Sequence, residues 1–142
     1  QKDDRTLSVL FIDLDNFKQI VDTHGHLNGS QTIKEVASTI RECLKEPAFA
    51  VSYAGDEFVA VLPDVDTDQA YEIASEIRQR IRNTDYLSSQ GIRAKLSASF
   101  GIATFPDHAN DITGLLASSD HALFQAKKLG KGTVRVAQGG TP

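Results

Sequence analysis

Apolar residues in the first third of the chain form one short run and two helical patterns. The run 7–12 is almost entirely apolar, which predicts a buried strand. Residues 17–21 predict one or two helical turns that end near Gly25, a residue free to take a positive φ. Apolar residues three and four apart over 33–44 predict a longer helix, which Pro47 stops. The chain is therefore expected to open with a strand and two helices.

The rest of the chain predicts two strands of a hairpin followed by a helix, a strand, a helix and a strand. These elements are expected at 49–53, 57–62, 70–81, 92–102, 112–126 and 133–136. Strict alternation over 92–102 predicts a long strand with one face toward solvent. Because a hairpin between helices does not fit an all-parallel sheet, we predict an α+β fold. Its centre is a mainly antiparallel five-stranded sheet surrounded by helices.

The length and composition of the chain indicate a single domain. The chain has 142 residues, of which 40% are hydrophobic, enough for a single packed core. We predict a domain over 7–137, preceded by the remnant of a linker at 1–6 and followed by a flexible tail at 138–142. The single cysteine, Cys43, excludes an internal disulfide and fits a reducing compartment.

Charge and hydropathy narrow the function further. The net charge of -4 argues against a protein that coats nucleic acid. A few cations and a metal ion could still bind a nucleotide on such a chain. No apolar run approaches the roughly 18 residues of a membrane span, so we predict no membrane contact by this domain.

Two acids, Asp13 and Asp15, directly follow the first predicted strand. Side chains two residues apart share a face of an extended chain, and two close carboxylates repel unless a cation lies between them. Mg²⁺ prefers such oxygen ligands, and the carbonyl of Leu14 could add another. Alternatively, one of the acids caps the helix that starts near Asn16. The spacing alone leaves both interpretations open.

A second pair of acids, Asp56 and Glu57, lies in the predicted hairpin. They follow Ala54 and Gly55 and precede Phe58. Acids in turns are commonly just solvated, so the turn alone does not establish a functional site.

Five segments of the chain together resemble the GGDEF family of dinucleotide cyclases. The motif that names the family is similar to residues 53–58, with Ala54 in place of the first glycine. The other four segments are 11–18, 22–29, 99–103 and 122–132. They follow the family's order over about 7–136. The resemblance implies the palm-type α+β fold of the family, which is similar to that of adenylyl cyclase.

The resemblance also implies an activity. In enzymes of this family, two nucleotide-loaded protomers face each other, and each 3′-hydroxyl attacks the α-phosphate of the other nucleotide with loss of pyrophosphate. We therefore expect a homodimeric nucleotidyltransferase that makes a cyclic dinucleotide second messenger from GTP. The resemblance implies two Mg²⁺ ions per active site, which Mn²⁺ can replace. It further implies a bacterial, cytoplasmic domain whose upstream sensor or receiver domain is missing from this chain.

Individual residues take their expected roles from the same resemblance. Asp13, the Leu14 carbonyl and Asp56 match metal ligands, and Asp13, Asp56 and Glu57 form the catalytic set. Positions that contact the triphosphate are matched by Asn16, Phe17, Lys18, Lys127 and Lys131. The hairpin motif comprises Ala54, Gly55, Asp56, Glu57 and Phe58. Asp15 is expected to support the loop.

Base recognition departs from the usual family pattern. The family usually has asparagine and aspartate where this chain has Val21 and Ser30, and His26 is assigned to the same site. A serine hydroxyl can donate or accept a hydrogen bond, so it can serve adenine as well as guanine. The chain thereby resembles the promiscuous subgroup of the family, which can join GTP with ATP into 3′,3′-cyclic GMP-AMP. We predict relaxed base specificity.

Two further departures concern the turn and its neighbourhood. Ala54 costs about 1 kcal/mol if the turn requires a positive φ at that position. The stretch 45–48 lacks the arginine and aspartate of the family's inhibitory product site, so we expect no product feedback there.

Two other functions compete with the enzyme. A catalytically inactive GGDEF domain that binds GTP or a partner protein would share this fold. A phospho-acceptor receiver domain would also have acids after its first strand and a late lysine. It needs a parallel sheet, however, in which the predicted hairpin has no place.

Overall fold

The described part of the chain forms five strands and four α-helices. The structure is a computed structural model that describes residues 5–138, so the predicted linker 1–6 and tail 138–142 lie almost entirely outside it. The elements are β1 (Leu7–Asp15), α1 (Phe17–His24), α2 (His26–Glu42), β2 (Phe49–Ala54), β3 (Glu57–Pro63), α3 (Thr67–Arg82), β4 (Ser97–Phe105), α4 (Ile112–Leu129) and β5 (Val134–Val136).

The strands form one sheet in the order β2-β3-β1-β4-β5. β1 lies in the middle and pairs antiparallel with both β3 and β4. β2 is also antiparallel to β3, whereas β5 runs parallel to β4. The predicted α+β fold with a mainly antiparallel five-stranded sheet is therefore confirmed.

Helices cover both faces of this sheet. On one face, α1, α2 and α3 bury a large core that includes Leu10, Phe58 and Phe100. On the other face, α4 buries a smaller core around Phe11 and Leu123. The alternation of side chains along β1 places Asp13 and Asp15 on the same face as Phe11, which is the face that α4 covers.

The fourth strand differs from its prediction. β4 begins at Ser97, whereas residues 92–96 form a loop with one isolated bridge between Tyr86 and Ala94. Both faces of β4 are buried, so the predicted solvent-exposed face is wrong. On the face that was expected to be exposed, Ser97 and Ser99 bond to Asp15. Gly101 lies against α4, where an added Cβ would lie 2.1 Å from the backbone oxygen of Ser119.

The limits of the other elements also differ from the sequence pattern. β1 continues through Asp15, so the two acids lie within the strand and not after it. α2 begins at His26, seven residues before the first apolar residue of its predicted stripe at Ile33. The N-cap of α3 is Asp66, whose carboxylate accepts from the amide of Gln69 at 2.8 Å. None of the helices described over 5–138 is long and apolar enough to cross a membrane.

Gly101→Ala is expected to destabilise the domain by about 3 kcal/mol, because the new methyl group would overlap the backbone of α4. Chemical denaturation gives the change in the free energy of unfolding. Gly114→Ala is the control, because its added Cβ meets only the side chains of Asp111 and Ala109, at 3.1 and 3.4 Å. Equal stability of the Gly101 variant and the wild type would contradict the packing described for β4 and α4.

Candidate active site

The acids of β1 and of the hairpin meet where β1 and β3 lie side by side. Asp13 pairs across the sheet with Glu57, the first residue of β3. The amide of Leu14 donates a 3.2 Å hydrogen bond to the carbonyl of Asp56. The sheet register therefore brings the predicted catalytic residues Asp13, Asp56 and Glu57, and the predicted metal ligand Leu14, to one place.

Gly55 is the residue of the hairpin turn that has an unusual backbone conformation. Gly55 has a φ of +51°, a conformation that favours glycine, whereas Ala54 is not among the residues with positive φ. Ala54 pairs with Glu57 after a shift in register beyond Ser52. The expected penalty for Ala54 therefore does not arise from its backbone conformation. Phe58, the last residue of the motif, is buried in the larger core.

Asp15 is buried and lies at the centre of a hydrogen-bond network. Its carboxylate accepts from the hydroxyls of Ser97 and Ser99 at 2.6 and 2.8 Å, and from the amide of Gly132 at 2.9 Å. Lys127 donates a fourth bond at 2.9 Å. Burial by itself would raise the pKa of Asp15, but these hydrogen bonds outweigh it and hold the pKa below its usual value. Neither Asp15 nor Asp13 caps α1, so that alternative is wrong.

Asp13 lies in a different environment from Asp15. Burial raises its pKa, the ammonium of Lys127 opposes the rise, and the carboxylates of Asp56 and Asp15 add to it. Its Oδ1 atom is buried without a hydrogen-bond partner in the described part of the chain. Burial likewise raises the pKa of Glu57, as do the nearby charges of Asp13 and Asp56. The end of β1 is therefore rich in carboxylate oxygen and incompletely neutralised.

Within residues 5–138, Lys127 is the only lysine whose ammonium group contacts this acid cluster. Its Nζ lies 2.9 Å from Oδ1 of Asp15, 3.1 Å from Oδ2 of Asp13 and 3.3 Å from the carbonyl oxygen of Leu14. Burial would lower the pKa of Lys127, but Asp15 and Asp13 together keep it raised, so the side chain stays charged. A cation thus lies on two of the three groups that are predicted to hold metal.

The donors at this place fit a hard divalent cation. They are carboxylate oxygens, one of which has no hydrogen-bond partner among the described residues, and a main-chain carbonyl that already faces a positive charge. Over residues 5–138, no group of three His, Cys, Asp or Glu side chains is arranged to hold a metal ion alone. A site of this kind would therefore need Leu14 and oxygens from a bound ligand or water to complete its coordination.

The predicted phosphate contacts are only partly assembled. Asn16 has a left-handed backbone, and its side chain accepts a 3.2 Å hydrogen bond from Lys131. Phe17 begins α1 directly after it, so a helix N-terminus lies at the end of β1. Lys18 is exposed and bonds instead to Asp22 along α1, at 3.3 Å. The structure thus brings Asn16, Phe17, Lys127 and Lys131 together and directs Lys18 elsewhere.

The predicted base-binding residues lie apart, on the α1–α2 hairpin. An added Cβ on Gly29 would lie 2.9 Å from a methyl of Val21, so the two helices are close there. Ser30, the next residue on α2, and His26 at its start are exposed. No hydrogen bond joins them to the acid cluster in the part of the chain that the structure describes.

For several residues of this region, the sequence alone implied no role in the site. Ser97 and Gly132 hold Asp15, and Arg78 of α3 donates through Nε to the carbonyl of Gly132 at 2.5 Å. Ser99 and Gly132 both lie within family-like segments, but the resemblance implied no role for either. The residues in these contacts are 33 or more positions apart in the sequence, so no local pattern indicates the contacts.

Comparison with known proteins identifies the family. The family model described as "Diguanylate cyclase, GGDEF domain" matches residues 1–133. The diguanylate cyclase DosC of Escherichia coli K12 is 35% identical over 130 residues, which are 92% of this chain and 28% of DosC. The cyclic di-GMP phosphodiesterase PdeR of the same organism is 33% identical over 130 residues, which are 92% of this chain and 19% of PdeR. The chain thus spans less than a third of either relative.

A solved structure gives the same result. The isolated GGDEF domain of TpbB, also called YfiN, from Pseudomonas aeruginosa is 35% identical. It superimposes with a TM-score of 0.91, over 96% of this chain and 80% of that one. The family match covers nearly the whole chain, and the sheet order and the acid-bearing hairpin agree with it, so this chain belongs to the diguanylate cyclase GGDEF domain family.

Proposed function

We propose that this domain is a cyclase that joins two nucleoside triphosphates into a 3′,3′-cyclic dinucleotide, with cyclic di-GMP as the product from two GTP. The observation that carries the proposal is the meeting of Asp13, Leu14, Asp56 and Glu57 at one end of the sheet, next to the cations that phosphates require. The family alone does not decide the reaction, because its similar members include both DosC and PdeR.

In the proposed reaction, each 3′-oxygen forms a bond to the α-phosphorus of the other nucleotide, and the bond to the pyrophosphate oxygen breaks. Two pyrophosphates and two protons leave for each cyclic product. Because one protomer offers one such acid cluster, the reaction requires a homodimer whose clusters face each other. The attacking 3′-oxygen then belongs to the nucleotide on one protomer, and the leaving pyrophosphate comes from the nucleotide on the other.

Asp13, the Leu14 carbonyl and Asp56 would hold Mg²⁺, two ions per site, with Mn²⁺ able to replace it. The bound ions would make the attacking hydroxyl more acidic and neutralise the leaving pyrophosphate. Glu57 closes the acidic rim opposite Asp13. Asp15, already satisfied by four hydrogen bonds, would hold the loop that carries Lys131 and not the metal. Lys127 and Lys131 would contact the triphosphate.

Relaxed base choice is the second part of the proposal. Val21 offers no hydrogen bond, and the hydroxyl of the exposed Ser30 can donate to adenine or accept from guanine. We therefore expect ATP to be used beside GTP, with 3′,3′-cyclic GMP-AMP as a product. Losing a carboxylate that accepts two hydrogen bonds from guanine removes about 2–3 kcal/mol of discrimination.

This chain spans 28% of DosC and 19% of PdeR, which supports a domain that works within a longer protein. We propose a bacterial, cytoplasmic domain that an upstream sensor or receiver brings together with its second copy. An inactive domain that only binds GTP or a partner protein is the alternative, and the absence of product would favour it.

The first experiment identifies products. Incubation of the protein with Mg²⁺ and GTP, ATP or both is expected to give cyclic dinucleotides by mass spectrometry. Asp13→Asn and Asp56→Asn should each lower the rate about 100-fold or more, because the ions lose a charged ligand. Asp68→Asn, on the exposed start of α3, removes the same charge and should leave the rate unchanged. The absence of product under all of these conditions would refute the proposed cyclase activity.

A second experiment tests the base pocket. Ser30→Asp is expected to shift the product ratio about 30-fold toward cyclic di-GMP when GTP and ATP are both present, because the carboxylate accepts from guanine and not from adenine. Ser38→Asp adds the same charge to an exposed position of the same helix and serves as the control. An unchanged ratio in the Ser30 variant would remove Ser30 from base recognition.

A third experiment tests the cation site without turnover. Because the Lys127 ammonium contacts Asp13 and the Leu14 carbonyl, it must compete with a metal for them. Lys127→Met is therefore expected to tighten Mn²⁺ binding about 10-fold in the absence of nucleotide, as measured by electron paramagnetic resonance.

Lys128→Met is the matched control, because the Lys128 ammonium lies over the Phe124 ring, 5.4 Å from its centroid, and away from the acids. If the Lys127 variant bound Mn²⁺ no more tightly than this control, the metal would not share those oxygens.

A further inference from the structure

The strand β2 forms one edge of the sheet and is far more exposed than the strands inside it. It comes first in the sheet order, and within residues 5–138 no strand pairs with its outer edge. Three large hydrophobic side chains of β2, Phe49, Val51 and Tyr53, are 51%, 48% and 60% exposed. Exposed strand edges readily pair with other strands, so folded proteins usually protect them.

The exposed side chains of β2 lie on the face of the sheet to which α4 binds. Val51 pairs with Val59, a residue of the smaller core under α4. The ring of Tyr53 lies edge-on to that of Phe11, with 5.1 Å between the ring centroids. Because α4 packs on β1, β4 and β5, the hydrophobic part of this face at β2 stays open to solvent.

Most of the features that protect a strand edge are missing from β2. Its sequence is Phe-Ala-Val-Ser-Tyr-Ala, with no charged residue and no proline. A shift in register against β3 lies between Ser52 and Ala54, next to the hairpin, so 49–52 is a regular strand. Two copies of a chain with a net charge of -4 repel each other least where their surfaces are uncharged. A second copy of this chain therefore fits the edge better than a charged partner does.

The sequence of β2 is chemically symmetric about Val51. The aromatic residues Phe49 and Tyr53 lie two positions away on either side. The small residues Ala50 and Ser52 lie one position away. If two β2 strands pair antiparallel around a two-fold axis at Val51, aromatic side chains face aromatic side chains and valine faces valine. Such cross-strand pairs stabilise a sheet, so the strand is complementary to itself.

The direction of pairing and the number of copies follow from the hairpin and from the opposite edge. β2 leads into the hairpin with Asp56 and Glu57. Parallel pairing would place two acidic hairpins side by side, whereas antiparallel pairing places them at opposite ends. The opposite edge strand, β5, has only three residues. Pairing of β2 with β2 uses the same edge of both copies and is therefore complete at a dimer.

We propose that β2 is a self-association edge, through which two copies of this chain join antiparallel into one continuous sheet when no nucleotide is bound. The proposal goes beyond the proposed function and does not depend on it. In this register Ala54 lies opposite Ala48 of the second copy, so the two hairpins are about 20 Å apart along the strands. The acid clusters do not face each other, and this dimer differs from the one that the proposed reaction needs.

Analytical ultracentrifugation without nucleotide or metal tests the dimer. The wild type is expected to dimerise. Val51→Lys places two ammonium groups opposite each other at the two-fold axis and should raise the dissociation constant of the dimer about 10-fold or more. Val51 is half-exposed, so the monomer can accommodate the lysine. Leu129→Lys, at another exposed aliphatic residue at the end of α4, is the matched control and should leave the constant unchanged.

Cysteine cross-linking tests the register, with the native Cys43 replaced by alanine. Val51→Cys is expected to form a disulfide with its own copy under mild oxidation, because antiparallel partners lie about 4.5–5.5 Å apart between Cα atoms. Phe49→Cys and Tyr53→Cys should cross-link with each other when mixed. Neither should cross-link with itself, because identical positions are then about 13 Å apart along the strands.

Three results would overturn the proposal. They are a wild type that stays monomeric at every concentration, a dimer that Val51→Lys weakens no more than Leu129→Lys does, and cross-links of Phe49→Cys that form as fast with itself as with Tyr53→Cys. In the first case the edge would be left for a strand of another protein.

These results are separable from the test of the cyclase. Cyclic product from a protein that is monomeric without nucleotide would uphold the cyclase and reject the β2 dimer. The expected cross-links in a protein that forms no cyclic product would uphold the β2 dimer and reject the cyclase.

Discussion

The buried carboxylate of Asp15 ties together the parts of the chain that form the site. Its hydrogen bonds reach β4 through Ser97 and Ser99, α4 through Lys127, and the following loop through the Gly132 amide. These partners are 82 to 117 positions away in the sequence. A buried charge is tolerated only where such partners exist, and leaving one unpaired costs several kcal/mol. The end of β1, the start of β4 and the loop with Lys131 are thus fixed relative to one another.

Two neighbouring carboxylates on one strand face thereby acquire different properties. Hydrogen bonds lower the pKa of Asp15 against the effect of its burial, whereas burial raises the pKa of Asp13. Within residues 5–138, Asp13 keeps an oxygen without a hydrogen-bond partner, and Lys127 neutralises this carboxylate only in part. The acid with spare capacity for a cation is the one next to the hairpin. The contacts of the two residues thus leave the carboxylate of Asp15 fully hydrogen-bonded and that of Asp13 with an oxygen that could accept a cation.

The sequence allowed the fold and much of the site to be predicted, for different reasons. Helical stripes and the hairpin signal are local, and they were enough for the element order and the mainly antiparallel sheet. The acids at 13, 15, 56 and 57 directly flank apolar runs, but their expected roles came from the resemblance of five segments to the GGDEF family. The two buried faces of β4 could not be predicted, since Gly101 is small because α4 lies against it and Ser99 is polar because it bonds to Asp15 and Gly132. Arg78 was missed because its partner, Gly132, is 54 positions away.

The proposed reaction depends most directly on what lies between Asp13, Leu14 and Asp56 when nucleotide is bound. A crystal structure of the protein with Mn²⁺ and a non-hydrolysable GTP analogue, recorded with anomalous diffraction at the manganese edge, measures this. We predict manganese within about 2.3 Å of Asp13 and of the Leu14 carbonyl, with the Lys127 ammonium moved from Asp13 onto a phosphate oxygen. Manganese bound elsewhere, with Lys127 still on Asp13 and Leu14, would contradict the account.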